Sequence, residues 1–102
     1  MATLAYTMMQ KLYDAKDRMK KRNLSIPAII LEHLADRTDG FSKTLNDGEQ
    51  RSFADLLIAY RKHLSFIAKL DAESYECSEE EVEMILGIVN EVTCPSSYAS
   101  QM

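Results

Sequence analysis

Leu4, Met8, Leu12, Ala15 and Met19 follow one another at steps of four, four, three and four, the spacing that aligns side chains on one face of a 3.6-residue-period helix. Good helix formers such as Lys11, Lys16, Arg18 and Lys20 stand between them, with no Gly or Pro, so the pattern predicts a first helix over residues 3–22. Its last turns carry Arg18, Lys20, Lys21 and Arg22. Positive charge there meets the negative end of the helix dipole and contributes roughly 0.3 to 1 kcal/mol per group.

Leu24-Ser25-Ile26-Pro27 reads as a boundary. Ser25 is placed to cap orphan backbone donors, Pro27 falls in the first turn where a missing N–H is harmless, and Leu24 and Ile29 have the spacing of a hydrophobic staple. The second helix is then expected to run to about Thr38 with Ile26, Ile29, Ile30, His33 and Leu34 on its buried stripe, and to stop at Asp39-Gly40. Residues 41–49 are the least patterned. Phe41 and Leu45 suit a short helical turn or insertion better than a hairpin, Asn46-Asp47-Gly48 marks a reversal, and Asp47 with Gln50 resembles a capping box.

The third and longest stripe comprises Phe53, Leu56, Leu57, Tyr60, Leu64, Ile67 and Leu70, and predicts a central helix over residues 49–72. Cys77-Ser78-Glu79-Glu80-Glu81-Val82 then gives a near-complete helix start. Ser78 is the N-cap, Glu81 stands three positions on, Cys77 and Val82 form a staple, and the acidic first turn complements the dipole. Val82, Ile85, Leu86, Val89 and Val92, with Met84 and Ile88 beside them, make the fourth helix, which Cys94-Pro95 closes. Gly87 within it costs about 1 kcal/mol relative to alanine unless it permits close helix packing. The expected architecture is all-α: an irregular four-helix domain over residues 1–95, with a short turn or helical insertion between the second and third helices and a weakly ordered tail over residues 96–102.

Composition narrows the picture. A length of 102 residues fits one domain, and no run approaches the roughly 18 apolar residues of a membrane span or the h-region of a secretory signal. Cys77 and Cys94 lie 17 residues apart and form no CxxC motif, which points to a reducing, cytoplasmic setting, although one bridge across the last helix is an alternative. The net charge of −4 is unevenly divided: residues 1–22 sum to +4 and residues 71–102 to −8, with no Lys or Arg in the latter.

Candidate chemistry mostly fails on spacing. His33, His63, Cys77 and Cys94 are isolated and do not form the paired ligands of a structural zinc site. His63 with Asp55, Ser52 or Ser65 gives no nucleophile and base in register, because residues two apart on a helix point in different directions. Aligning Gly40 or Gly48 with position six of a calcium loop puts Ala35 or Lys43 where the first carboxylate belongs. No phosphate-cradling glycine loop is present. No enzyme activity, metal or cofactor is therefore expected.

Interaction remains. Six methionines in the chain, among them Met8, Met9, Met19 and Met84, suit irregular apolar contacts. The expected function is a small non-enzymatic interaction or regulatory protein. It binds another protein, or itself as a homodimer, through a helical surface comprising Met8, Met9, Lys16, Lys20, Glu79, Glu80 and Glu83, the two charged ends setting orientation and encounter rate. The alternative is a nucleic-acid-associated regulator whose first helix presents Lys11, Lys16, Arg18, Lys20, Lys21 and Arg22 to phosphates. Asp14 and Asp17 interrupt that basic ridge.

Overall fold

The computed structural model describes residues 4–45 and 52–101, and within them places helices α1 (Leu4–Lys21), α2 (Ser25–Leu45), α3 (Phe53–Ser74) and α4 (Glu79–Val92), followed by a 3-10 helix over Pro95–Gln101. The expected all-α, irregular four-helix arrangement is the one observed. The capping-box reading at Asp47 and Gln50, the reversal at Asn46-Asp47-Gly48 and the residue Arg51 lie outside the described residues.

Two reversals set the topology, and both use the same backbone device. After α1, Leu24 N donates to Met19 O (2.9 Å) and Asn23 N to Lys20 O (3.0 Å), with Asn23 at φ 61°. After α3, Cys77 N donates to Ala72 O (2.9 Å) and Glu76 N to Glu73 O (3.2 Å), with Glu76 at φ 55°. These paired bonds around one left-handed residue are the Schellman motif, which satisfies the last carbonyls of a helix and turns the chain back. Leu24 then doubles as the first acceptor of α2, taking a bond from Ala28 N at 3.1 Å. Ser25 is consequently the first residue of α2 and not its cap, a correction forced by the tightness of the turn.

The second correction concerns the end of α2. The helix does not stop at Asp39-Gly40 but continues through Gly40 to Leu45. The local cost of glycine is about 1 kcal/mol, and tertiary packing exceeds it. Phe41 stacks on His63 with ring centroids 3.9 Å apart and meets Tyr60 edge-on at 5.4 Å. One turn earlier Thr38 is fully buried, its hydroxyl donating to Leu34 O at 2.8 Å. The buried side of α2 is also rotated from the expected stripe. Pro27, Ala28, Ile30, Leu31, Leu34, Ala35 and Thr38 face inward, whereas Ile29 is exposed and Ile26 and His33 are only half-buried.

The α3 helix is capped by Ser52, whose hydroxyl accepts from Asp55 N at 3.1 Å. The α4 helix starts with the expected capping box: Ser78 Oγ accepts from Glu81 N (3.2 Å) and Ser78 N donates to Glu81 Oε1 (3.0 Å). Contacts between α2 and α3 run from Phe41 on Tyr60 at one end to His33 facing Asp71 at the other, so these helices are antiparallel. The tight turns make α1 with α2, and α3 with α4, antiparallel pairs as well. Core residues come from every helix, among them Met8, Leu12, Leu31, Leu34, Leu57, Leu64, Ile85 and Val89. Tyr98 of the 3-10 helix joins them, in a segment expected as a tail.

Glycine thus sits inside a helix, and glutamate sits where a left-handed residue is needed. A Cβ built on Gly40 or Gly87 meets nothing within 4 Å, so Gly87 does not mark a close helix approach. Gly40→Ala and Gly87→Ala are each expected to raise stability by about 0.5 to 1 kcal/mol. Glu76→Gly is expected to do so by a similar amount, on the order of 1 kcal/mol. Urea unfolding of the three variants checks this. A loss of stability at Gly87→Ala would show an unseen close contact there.

Candidate interaction surface

The structure distributes the expected recognition residues unevenly. Met8 is 0% exposed and fills the centre of the core between α1 and its neighbours. It is therefore unavailable to a partner, because the apolar stripe of α1 is consumed by packing on α2, its most extensive neighbour. Met9 is half-buried against the same core. Glu79, Glu80 and Glu83 are exposed around the first turns of α4.

The basic residues of α1 divide into two groups. Lys11 and Lys16 are half-buried, with Lys11 Nζ lying 5.3 Å from the centroid of the Tyr98 ring and Lys16 Nζ lying 5.4 Å from that of Tyr13 and 3.5 Å from Asp17. Arg18, Lys20, Lys21 and Arg22 are exposed. Tyr13 also donates a hydrogen bond to Asp36 across the α1–α2 pair, and this bond, followed by burial and the nearby carboxylates, raises its pKa above the ordinary tyrosine value.

Chain charge polarity does not become polarity of the fold. The basic turn closing α1 adjoins the start of α2, which lies beside the end of α3 and hence beside the acidic start of α4. Both charged segments therefore occupy one end of the bundle. A shallow groove of about 160 Å³ between α1 and the end of α4 repeats the mixture, being lined by Lys11, Asp14, Arg18, Glu91, Val92 and Ser97. Its size is well below the roughly 300 Å³ at which small-molecule sites begin.

Among the described residues no three His, Cys, Asp or Glu side chains converge as a metal site. Burial lowers the pKa of His63, the charge of Arg37 adding to the effect, and its ring is held flat on Phe41. His33 Nδ1 lies 3.4 Å from Asp71 Oδ2, a half-buried pair bridging α2 and α3 whose two facing atoms are shielded from solvent. Cys77 and Cys94 are free thiols at opposite ends of α4. Burial and Glu81 raise the pKa of Cys77, whereas the hydrogen bond with Ser96, at 3.1 Å, lowers that of Cys94. No helix among the described residues is long and apolar enough to cross a membrane.

The exposed apolar patch that sequence reasoning missed is on α3. Leu57, Tyr60, Leu64, Ala68 and Ala72 form its buried seam. Position 70 follows Ala68 by two residues, about 200° around the helix, so Leu70 is turned outward and is 51% exposed, not part of the buried stripe as expected. The same rotation turns Phe66, two residues after Leu64, to the outside, where it is 62% exposed. Ile58, 45% exposed, occupies the same i, i+4 row two turns earlier. Exposed Lys62, Lys69 and Glu73 border Phe66 and Leu70. The available signal was the alternation of Leu64 and Ala68 with Phe66 and Leu70, which gives α3 two apolar sides where its interior use accounts for one. No family model, no curated protein and no solved structure matches this chain.

Proposed function

We propose that this protein is a non-enzymatic interaction or regulatory protein that binds a protein partner through the outward face of α3. One observation carries the reading: Phe66 and Leu70, one turn apart, are more than half exposed on a helix whose other side already supplies the core. Adjacent large apolar side chains rimmed by charge have the composition of an interface centre and its border. Covering the part of each side chain that is still exposed contributes roughly 1 to 2 kcal/mol. The mixed charge at one end of the bundle supplies steering and specificity, and the separated free cysteines fit a reducing, cytoplasmic setting.

Nuclease-treated affinity capture from the native source tests the reading, with the wild-type chain compared against the Phe66→Asp, Leu70→Asp double variant. A protein recovered in stoichiometric amount at moderate salt by the wild type, and lost from the variant, is the expected result. Equal recovery by both would overturn it. So would salt-sensitive oligonucleotide binding that disappears when Lys20, Lys21 and Arg22 are neutralised, in the absence of any such protein; that outcome favours phosphate contact by α1.

A further inference from the structure

We infer that the partner on the α3 face is a second copy of this chain, docked antiparallel about a two-fold axis that passes between Phe66 and Leu70. The inference rests on the reading of this face as a protein-binding surface, and the charge pattern bordering Phe66 and Leu70 supplies the rest.

An isologous interface must be self-complementary: whenever residue i of one copy meets residue j of the other, j meets i as well. Between two antiparallel helices, that condition ties every pair to a common midpoint. The midpoint of Lys62 and Glu73 falls between positions 67 and 68, and the midpoint of Phe66 and Leu70 falls at position 68. The two midpoints differ by half a residue, about 0.75 Å along a helix, so one axis serves both pairs. With the two α3 helices laid along each other in this register, Lys62 faces Glu73 of the second copy, and Glu73 faces Lys62 of the second copy. Phe66 and Leu70 lie at the centre, Phe66 against Leu70 of the second copy and Leu70 against Phe66.

The dimensions agree with this arrangement. Lys62 and Glu73 are 11 residues apart, about 16 Å along a helix. The two ion pairs accordingly lie about 8 Å to either side of the axis, with the apolar side chains between them. An apolar centre with a charged border is the usual anatomy of a specific interface. Position 69 falls opposite position 66 in the same register, which lays the aliphatic stem and ammonium of Lys69 over the Phe66 ring of the other copy.

Charge also selects the orientation. A parallel pairing sets Lys62 against Lys62 and Glu73 against Glu73, whereas the antiparallel pairing converts both like-charge contacts into attractions. Among the described residues the side chains of Lys62 and Glu73, both exposed, belong to no ion pair. An unrelated partner would give no reason for the apolar and charged pairs of one helix to share an axis.

Sedimentation analysis of the full chain over a concentration series, with helicity followed by circular dichroism, tests the assignment. The wild type is expected to pass from monomer to dimer as concentration rises, and Phe66→Asp to remain monomeric with unchanged helicity. Lys62→Glu and Glu73→Lys are each expected to weaken the dimer by at least about tenfold, since each replaces two attractions by two repulsions. Carrying both substitutions in one chain is expected to restore it. An equimolar mixture of the two single variants should form a mixed dimer for the same reason.

A dimer indifferent to Phe66→Asp, or single variants not rescued by the double exchange, would overturn the inference. A wild type that stays monomeric throughout would overturn it as well. In that last case, Phe66-dependent capture of a different protein leaves the interaction reading standing, and failure of both measurements removes both.

Discussion

Tyr98→Ala is expected to destabilise the protein by about 3 to 5 kcal/mol, although the residue lies only a few positions from the end of the chain. Tyr98 is 3% exposed. Its ring meets Phe53 edge-on with centroids 5.7 Å apart, its hydroxyl donates to Val92 O at 2.5 Å, and Lys11 Nζ lies 5.3 Å from the ring centroid. The side chain thus joins α1, the start of α3 and the end of α4. Ser97 fixes the segment beside it by donating from Oγ to Glu91 O at 2.6 Å. Tyr98→Phe keeps the ring and removes only the hydroxyl bond, so its cost should be about 1 kcal/mol.

A pH measurement gives an independent check on the same residue. Burial, with a smaller contribution from Tyr60, pushes the Tyr98 phenol from its ordinary 10.0 up to about 12. The folded state therefore holds the proton more tightly than the unfolded state does. This contribution to stability is fully present below pH 10.0 and is lost as pH rises from there through about 12. Phenolate absorbance should show a tyrosine component titrating near about 12, and that component should be missing in Tyr98→Phe. If urea unfolding instead finds Tyr98→Ala within about 0.5 kcal/mol of wild type, the ordinary range for surface substitutions, residues 95–101 do not form part of the folded core.

Features set by neighbouring residues were legible in the sequence. The α4 start is an example, because Ser78, Glu81, Cys77 and Val82 stand within six positions of one another and their bonding is local. The inward stripe of α1 was also readable, since Met8, Leu12, Ala15 and Met19 repeat at helical spacing without competitors. Ser52 was readable too, as Ser-x-x-Asp before an apolar run, but it was overshadowed by the Asp47 and Gly48 signals.

The illegible features depended on distant partners. Gly40 announces a helix end, and only the rings of Tyr60 and His63 reveal why the helix continues to Phe41 and beyond. Both reversals use left-handed residues that are not glycine, Asn23 and Glu76, so the strongest marker of a Schellman turn was missing from the sequence. On α3 the larger side chains drew the expected stripe toward Ile67 and Leu70, whereas the bundle buries Ala68 and Ala72. That difference of rotation hid the candidate surface. Charge was misleading in another way, because summing it along the chain separates groups that the two tight turns bring to the same end.

Met8→Ala separates the surface on α3 from the recognition set expected on α1. Met8 is fully buried, so removing most of its side chain leaves a cavity and should cost about 2 to 5 kcal/mol. How far the surrounding side chains collapse into the space sets where in that range the cost falls. Phe66→Ala removes a larger side chain from the outside of α3 and should change monomer stability by no more than about 0.5 kcal/mol. Association is expected to respond in the opposite order. Under conditions where Met8→Ala remains folded, its binding through α3 should match the wild type, whereas Phe66→Ala should bind more weakly by about tenfold or more, as for a central apolar contact. Measuring urea unfolding and association on both variants places each residue in the core or at the interface. Reduced association by Met8→Ala with undiminished stability would return the recognition surface to α1.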